Sequence, residues 1–183
     1  MANAEQEQVM AVIEPYIEEI HSIFTNAVDR YNEIDPAARA EHEDRTAASC
    51  IRDYAWMGFK TSFSENSGFH FLDIRGLNVL NIRDEVVIRV KKVDSEGRHR
   101  NYQTQQQKDF DSQQELQGLP SAAKRIVVGY QPDVAMESVE RVTVRRPKGN
   151  WVSQINESGQ ESSWVDITPA QLPFKTKKRA SKK

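Results

Sequence analysis

A single cysteine, Cys50, stands among the 183 residues, which excludes an intramolecular disulfide and suits a reducing compartment. Its neighbours Ala47, Ile51 and Tyr54 recur at helical spacing, so Cys50 reads as a small core residue rather than a nucleophile. No apolar run approaches the ~18 residues of a membrane span, and the opening MANAEQEQ lacks the basic flank and apolar stretch of a signal peptide. A cytoplasmic location away from membranes is therefore expected. Missing too are a phosphate-cradling glycine loop, a CxxC pair and a G-x-S-x-G elbow. No motif declares a reaction, and neither a cofactor nor a metal is implied.

What is present suits one globular domain of 21.0 kDa: 38% of residues are hydrophobic and 28% charged, enough apolar side chain for a core. The net charge of −2 hides an asymmetry. Residues 1–45 hold 11 acids against 3 bases, whereas Arg83, Arg89, Lys91, Lys92, Arg98 and Arg100 crowd one later segment and Arg141, Arg145, Arg146 and Lys148 another. The chain is electrically two-sided.

From Val9 to Tyr31 apolar residues recur every three or four positions, the stripe of an amphipathic helix, with Pro15 placing a kink or a late start near Glu14. Asp35-Pro36 is a capped restart, predicting a second helix from Pro36 to Met57. Beyond a turn region over residues 59–68, short strands are expected from Phe69 to Arg75, from Leu77 to Leu80 and from Val86 to Val93, at spacings that suit an antiparallel meander. Thr104-Gln105-Gln106-Gln107 has capping-box form and opens a helix predicted to reach Leu116, ended by Gly118 and Pro120. Further strands are expected at 126–130, 139–146 and 151–155, with Trp164 and Ile167 in a last short element. The fold class is thus α+β: an acidic helical segment over residues 1–57 packed on a mainly antiparallel sheet with one inserted helix over 58–172, followed by a basic tail, 173–183, expected to be disordered.

Alternation in the strands separates two faces. Val86, Ile88 and Val90 point one way and Val87, Arg89 and Lys91 the other; Val142 and Val144 face in, opposite Arg141, Thr143 and Arg145. Arg89, Lys91, Arg141 and Arg145, with Arg98 and Arg100 in the basic loop, are therefore expected to form one outward surface that binds nucleic acid or another polyanion. A charged solvated sheet face would look the same. A restriction-type nuclease needs an acidic-x-Lys element that Arg89-Val90-Lys91 does not supply, and a metal-independent one would use His70 or His99 as base. His42-Glu43-Asp44 sit on adjacent helical positions, which project apart and cannot converge on one ion. The stripe from Val9 to Tyr31 exceeds what one thin sheet face covers, so Ile17, Ile20 and Phe24 are expected to anchor an interface with a second copy or a partner protein.

The ordered segments VKKVD (90–94), TQQQKDF (104–110), LQGLPSA (116–122), VVGYQPD (127–133) and RVTVRRPKGNWV (141–152) resemble a family of uncharacterised bacterial proteins. Its members look like the partner of a regulator that joins an Xre-type helix-turn-helix to an ImmA/IrrE-like peptidase domain, in gene pairs similar to toxin-antitoxin and phage-defence modules. The resemblance spans residues 69–155, as a divergent member with basic Arg145-Arg146, and carries over no active site. It implies a toxin-like effector held by a DNA-binding antitoxin and acting on RNA or another polyanion. The competing expectation is a non-enzymatic interaction protein, or a nucleic-acid-binding accessory protein, that binds the partner regulator.

Overall fold

The computed structural model describes residues 2–99, 104–157 and 162–169. Helix α1 (Ala4–Ile13) begins earlier than the apolar stripe, because the Asn3 side chain accepts from the Gln6 amide at 2.8 Å and the Gln6 side chain answers the Asn3 amide. Pro15 then imposes one turn of 3₁₀ helix (Glu14–Tyr16) before α2 (Ile17–Asn32). The expected second helix is two. Asp35 caps the short α3 (Pro36–Ala40), and α4 (Asp44–Phe63) follows after a break at Glu41–Glu43.

Helix α4 also runs past Gly58, where the change of pattern suggested a stop. The residue is small for a packing reason: a Cβ there would lie 2.8 Å from Ile23 Cγ2, so its absence lets α2 and α4 approach closely.

Seven strands follow in sheet order equal to chain order: β1 (Phe69–Ile74), β2 (Leu77–Ile82), β3 (Val86–Lys92), β4 (Lys124–Pro132), β5 (Val139–Arg145), β6 (Val152–Ile155) and β7 (Trp164–Asp166). All neighbours are antiparallel except β3 and β4, which run parallel with α5 (Gln105–Asp111) between them in the chain. A parallel neighbour requires such a crossover. Thr104 caps α5 through its hydroxyl, which accepts from the Gln107 amide, but Gln107 Oε1 makes no return bond, so the expected capping box is half formed; the helix ends at Asp111 rather than Leu116, with Gln113 at a positive φ of 56°.

One large core lies between the sheet and α1, α2 and α4. Val86, Ile88, Val90, Val128, Val142 and Val144 face it, as their alternation requires. A smaller core covers the opposite face of β2 and β3, where Val79 and Val87 meet Phe110, Leu116 and Leu119. The molecule is therefore three layers deep at α5. Buried Gln6 joins α1 to the far edge, donating to Ser153 Oγ at 2.9 Å and Asp166 Oδ1 at 3.1 Å. Ile17, Ile20 and Phe24 are 2%, 1% and 0% exposed within the main core. They are covered by this chain's own helices and sheet, which corrects their assignment as interface anchors. Among the described residues no helix is long and apolar enough to cross a membrane.

Candidate anion-binding crevice

Strands β2 and β3 are in register only from Leu80↔Ile88 to Ile82↔Val86, whereas β3 continues alongside β4 as far as Lys92↔Tyr130. The two strands fork beyond Ile88. Into the fork opens a crevice of about 70 Å³ lined by Gly76 and Asn78 on one side and Arg89, Val90 and Lys91 on the other, with Arg52, Asp53 and Trp56 of α4 and Gln107 of α5 closing it. At ~10–15 Å³ for a water, the space takes a group of a few heavy atoms. It lies at the carboxyl end of the strand that feeds the crossover, the position where ligands collect in α/β sheets.

Arg89 is the most buried of the cations lining the crevice, 4% exposed. Its guanidinium lies 5.2 Å from the Phe110 ring centroid, close enough for a cation–π contact, and its Nη1 is 4.0 Å from Asp111 Oδ1. Nη1 is buried and makes no hydrogen bond among the described residues; nor does Gln107 Oε1. Burial pulls the Arg89 guanidinium down to about 10, Asp111 acting in the opposite sense and Arg52 adding to the fall. It remains a cation at neutral pH.

Lys91, two residues on and half-buried, points to the same side. Desolvation, then the charges of Arg89 and Arg52, pull its ammonium down to about 8, with Asp111 opposing. The nearby carboxylates are committed elsewhere. Asp53 accepts from Arg52 Nη2 at 2.5 Å, and Asp111 lies 3.5 Å from His99 Nε2 on its other oxygen. Lys91 therefore has no ion-pair or hydrogen-bond partner among the described residues.

The expected basic surface takes a different form. Register does put Arg89, Val127 and Arg145 in one row, and Lys91, Gly129 and Thr143 in the next, so the four strand cations share a sheet face. That face is not open. Residues 94–99 fold back across it: Asp94 Oδ1 accepts from the Glu96 and Arg98 amides at 2.9 Å each, making a tight turn. Arg141 Nη1 then donates to Ser95 O at 3.0 Å and Arg145 Nη1 to Glu96 O at 2.7 Å. Gly97 sits against Val152 and Thr143. Arg141 and Arg145 hold this cover in place, and Arg89 lies beneath α5. Arg98 is exposed but paired with Asp94 and Glu96 at 3.0 Å each; Arg100 lies outside the described residues, as does the basic tail.

Of the residues named from sequence, the crevice thus unites Arg89 and Lys91 and leaves out Arg98, Arg141 and Arg145. Arg52, Asn78, Gln107, Asp111 and His99 were not singled out as one group. Arg52 and Trp56 are four apart on one helix, a spacing that puts both on one face, but only the fork of β2 and β3 brings that face to Lys91. Comparison with protein-family models, curated proteins and solved structures finds no match to this chain. Fold and crevice therefore define an α+β protein with a cationic pocket.

Proposed function

We infer that the crevice binds one anionic group, a phosphate or carboxylate, of a small-molecule or nucleotide ligand. The observation that carries this is a lysine without a counter-ion among the described residues beside a buried arginine, both lining an open space of suitable size. Burial and the charges of Arg89 and Arg52 disfavour the Lys91 ammonium, so an anion that pairs with it beneath the arginine field recovers free energy lost in the empty protein. Gln107 and Asn78 add neutral polar groups at the rim, and Arg52 supplies long-range attraction. The pocket admits a single group rather than a run of backbone phosphates, which favours a terminal phosphate, a nucleotide or a small acid over sequence-independent tracking along RNA or DNA.

The biological setting we propose is a toxin-like effector of a bacterial two-gene module, partnered by an Xre/ImmA-IrrE-type antitoxin; the supporting argument is the ordered resemblance over residues 69–155. In that setting the bound anion belongs to the effector's target. An interaction protein without a reaction is the alternative, and growth on induced expression separates the two, since only a toxin arrests the host.

Binding itself is tested by thermal unfolding in inorganic phosphate. Saturation to about a hundred times Kd adds ~2.7 kcal/mol, and at ~2–4 °C per kcal/mol for a chain of this size the midpoint rises by roughly 5–10 °C. The rise should shrink sharply in Arg89→Lys and Arg52→Gln, and fall steeply as sodium chloride is added. An equal rise in the wild type and both variants would place the anion elsewhere, and no rise in the wild type would refute the site.

A further inference from the structure

We propose that Lys91 Nζ is a reactive amine that forms a Schiff base with a small aldehyde or keto compound carrying a carboxylate or phosphate, the anionic group being drawn in by the field of Arg89 and Arg52. The inference rests on the anion-binding reading of the crevice and adds the chemical class of its ligand. Three observations converge. Lys91 borders a space open to a small molecule. No carboxylate reaches it within ion-pair distance among the described residues, Asp53 being held by Arg52 and Asp111 standing between Arg89 and His99. Two arginines, one on its own strand and one on α4, face it as fixed positive charges, the arrangement that makes a lysine give up its proton.

Four charged groups surround Lys91, of which Asp53 also lines the crevice but is paired with Arg52. Arg89 and Arg52 disfavour the ammonium, Asp111 favours it, and partial burial disfavours it most. With its ammonium at about 8, roughly a quarter of Lys91 is the free amine slightly above pH 7, against ~0.1% for a lysine at its usual ~10.4.

The step balances without an oxidant or reductant. The Nζ lone pair attacks the carbonyl carbon, a C–N bond forms, and the carbonyl π pair moves to oxygen. That oxygen takes up one proton as the new ammonium loses one, giving a carbinolamine. The nitrogen lone pair then forms C=N as the protonated hydroxyl leaves as water. One amine, one carbonyl and one proton taken from solvent become one protonated imine and one water. The resulting iminium would sit where the arginines are already crowded, so the ligand's own anionic group is needed to neutralise it, which is why a neutral carbonyl compound should react poorly.

The test uses the full chain with glyoxylate, which joins an aldehyde to a carboxylate, followed by borohydride reduction and peptide mass spectrometry. A carboxymethyl adduct is expected on Lys91 at least ~10-fold faster than on Lys60, Lys108, Lys124 or Lys148 near neutral pH, with the rate rising through about pH 8. Excess inorganic phosphate should suppress it, and acetaldehyde should show no preference for Lys91. Lys91→Arg should abolish the selective adduct while phosphate still raises the unfolding midpoint. If glyoxylate labels only the exposed lysines while phosphate stabilises the wild type, the Schiff base is refuted and the anion site stands. If acetaldehyde labels Lys91 as fast as glyoxylate does, the anionic-carbonyl class is refuted. Absence of both selective labelling and phosphate stabilisation removes the two readings together.

Discussion

Replacing Lys91 by Met keeps an unbranched side chain of similar length and removes only the ammonium, and it should make the protein more stable at neutral pH. The folded state pulls this group from 10.5 to about 8. At ~1.36 kcal/mol per pH unit, the charge costs the fold at most ~3.4 kcal/mol; because the side chain is half-buried and screened by water, ~1–2 kcal/mol is the realistic figure. The folded pKa lies below the unfolded one. Below about pH 8 both states carry the proton and the full cost is present; between about 8 and 10.5 the folded state releases its proton first, so stability rises with pH. The gain from Lys91→Met should therefore be largest near pH 7 and fade to nothing by about pH 10.5. Urea unfolding of both proteins across this range measures it, as a shift in midpoint with unchanged slope. Inorganic phosphate should close the gap from the wild-type side, since an anion relieves the same cost. A variant that is less stable than the wild type at every pH, or a gain that does not vary with pH, would show that Lys91 is not held in a site hostile to its charge.

Further outcomes follow from the packing. Ile20→Asp should unfold the chain outright in a far-ultraviolet melt rather than dissociate a complex, because a carboxylate at a fully covered core position has no partner. Gly129→Ala should cost ~1–3 kcal/mol in chemical denaturation, its Cβ falling 2.3 Å from Val93 Cγ1; adding Val93→Ala should relieve the clash, so that the double mutant loses less than the two single losses combined. Asp111→Asn should destabilise by ~3 kcal/mol, leaving buried Arg89 without its nearest carboxylate, and Lys91→Met in that background should recover part of the loss. Tyr130→Phe should cost only ~0.5–1.5 kcal/mol, the value of its 3.3 Å hydrogen bond to Ala48 O.

Much of the fold is legible in strand parity and capping. The valines of β3 and β5 turn to the helical layer as alternation requires, Thr104 caps α5, and Pro15 breaks the first helical stripe. Coverage was what periodicity could not report. Ile17, Ile20 and Phe24 amount to excess apolar surface only on a narrow sheet; the seven described strands at ~4.8 Å span ~29 Å between the edges, more than the ~24 Å length of the 16-residue α2. Likewise Arg89 and Lys91 alternate with valines whether their face meets water or a second layer, and here α5 and residues 94–99 form that layer. The parallel pairing of β3 with β4 also escaped, since the intervening helix fits an insertion or a crossover equally well. Arg52 joins the crevice through tertiary contact alone, with no local signal to mark it.

The strongest sign that the crevice has a purpose is how the chain treats its other cations. Arg125, buried between β4 and the end of α5, donates through Nη1 to the Gln114 carbonyl. Arg141 and Arg145 donate to the carbonyls of the covering loop, Arg146 meets Glu5 at 2.7 Å, and Arg98 meets two acids. Even Arg89 has an aromatic face and a carboxylate at one side, though one Nη1 bond is left unmade. Lys91 alone of this group faces two arginines, with no acceptor among the described residues, beside an open space. If Lys91→Met is the more stable empty protein, as predicted above, folding does not explain the ammonium. Strain of this kind is expected where a site is arranged for something that arrives later, and an anion delivered to the fork of β2 and β3 is the addition that would remove it.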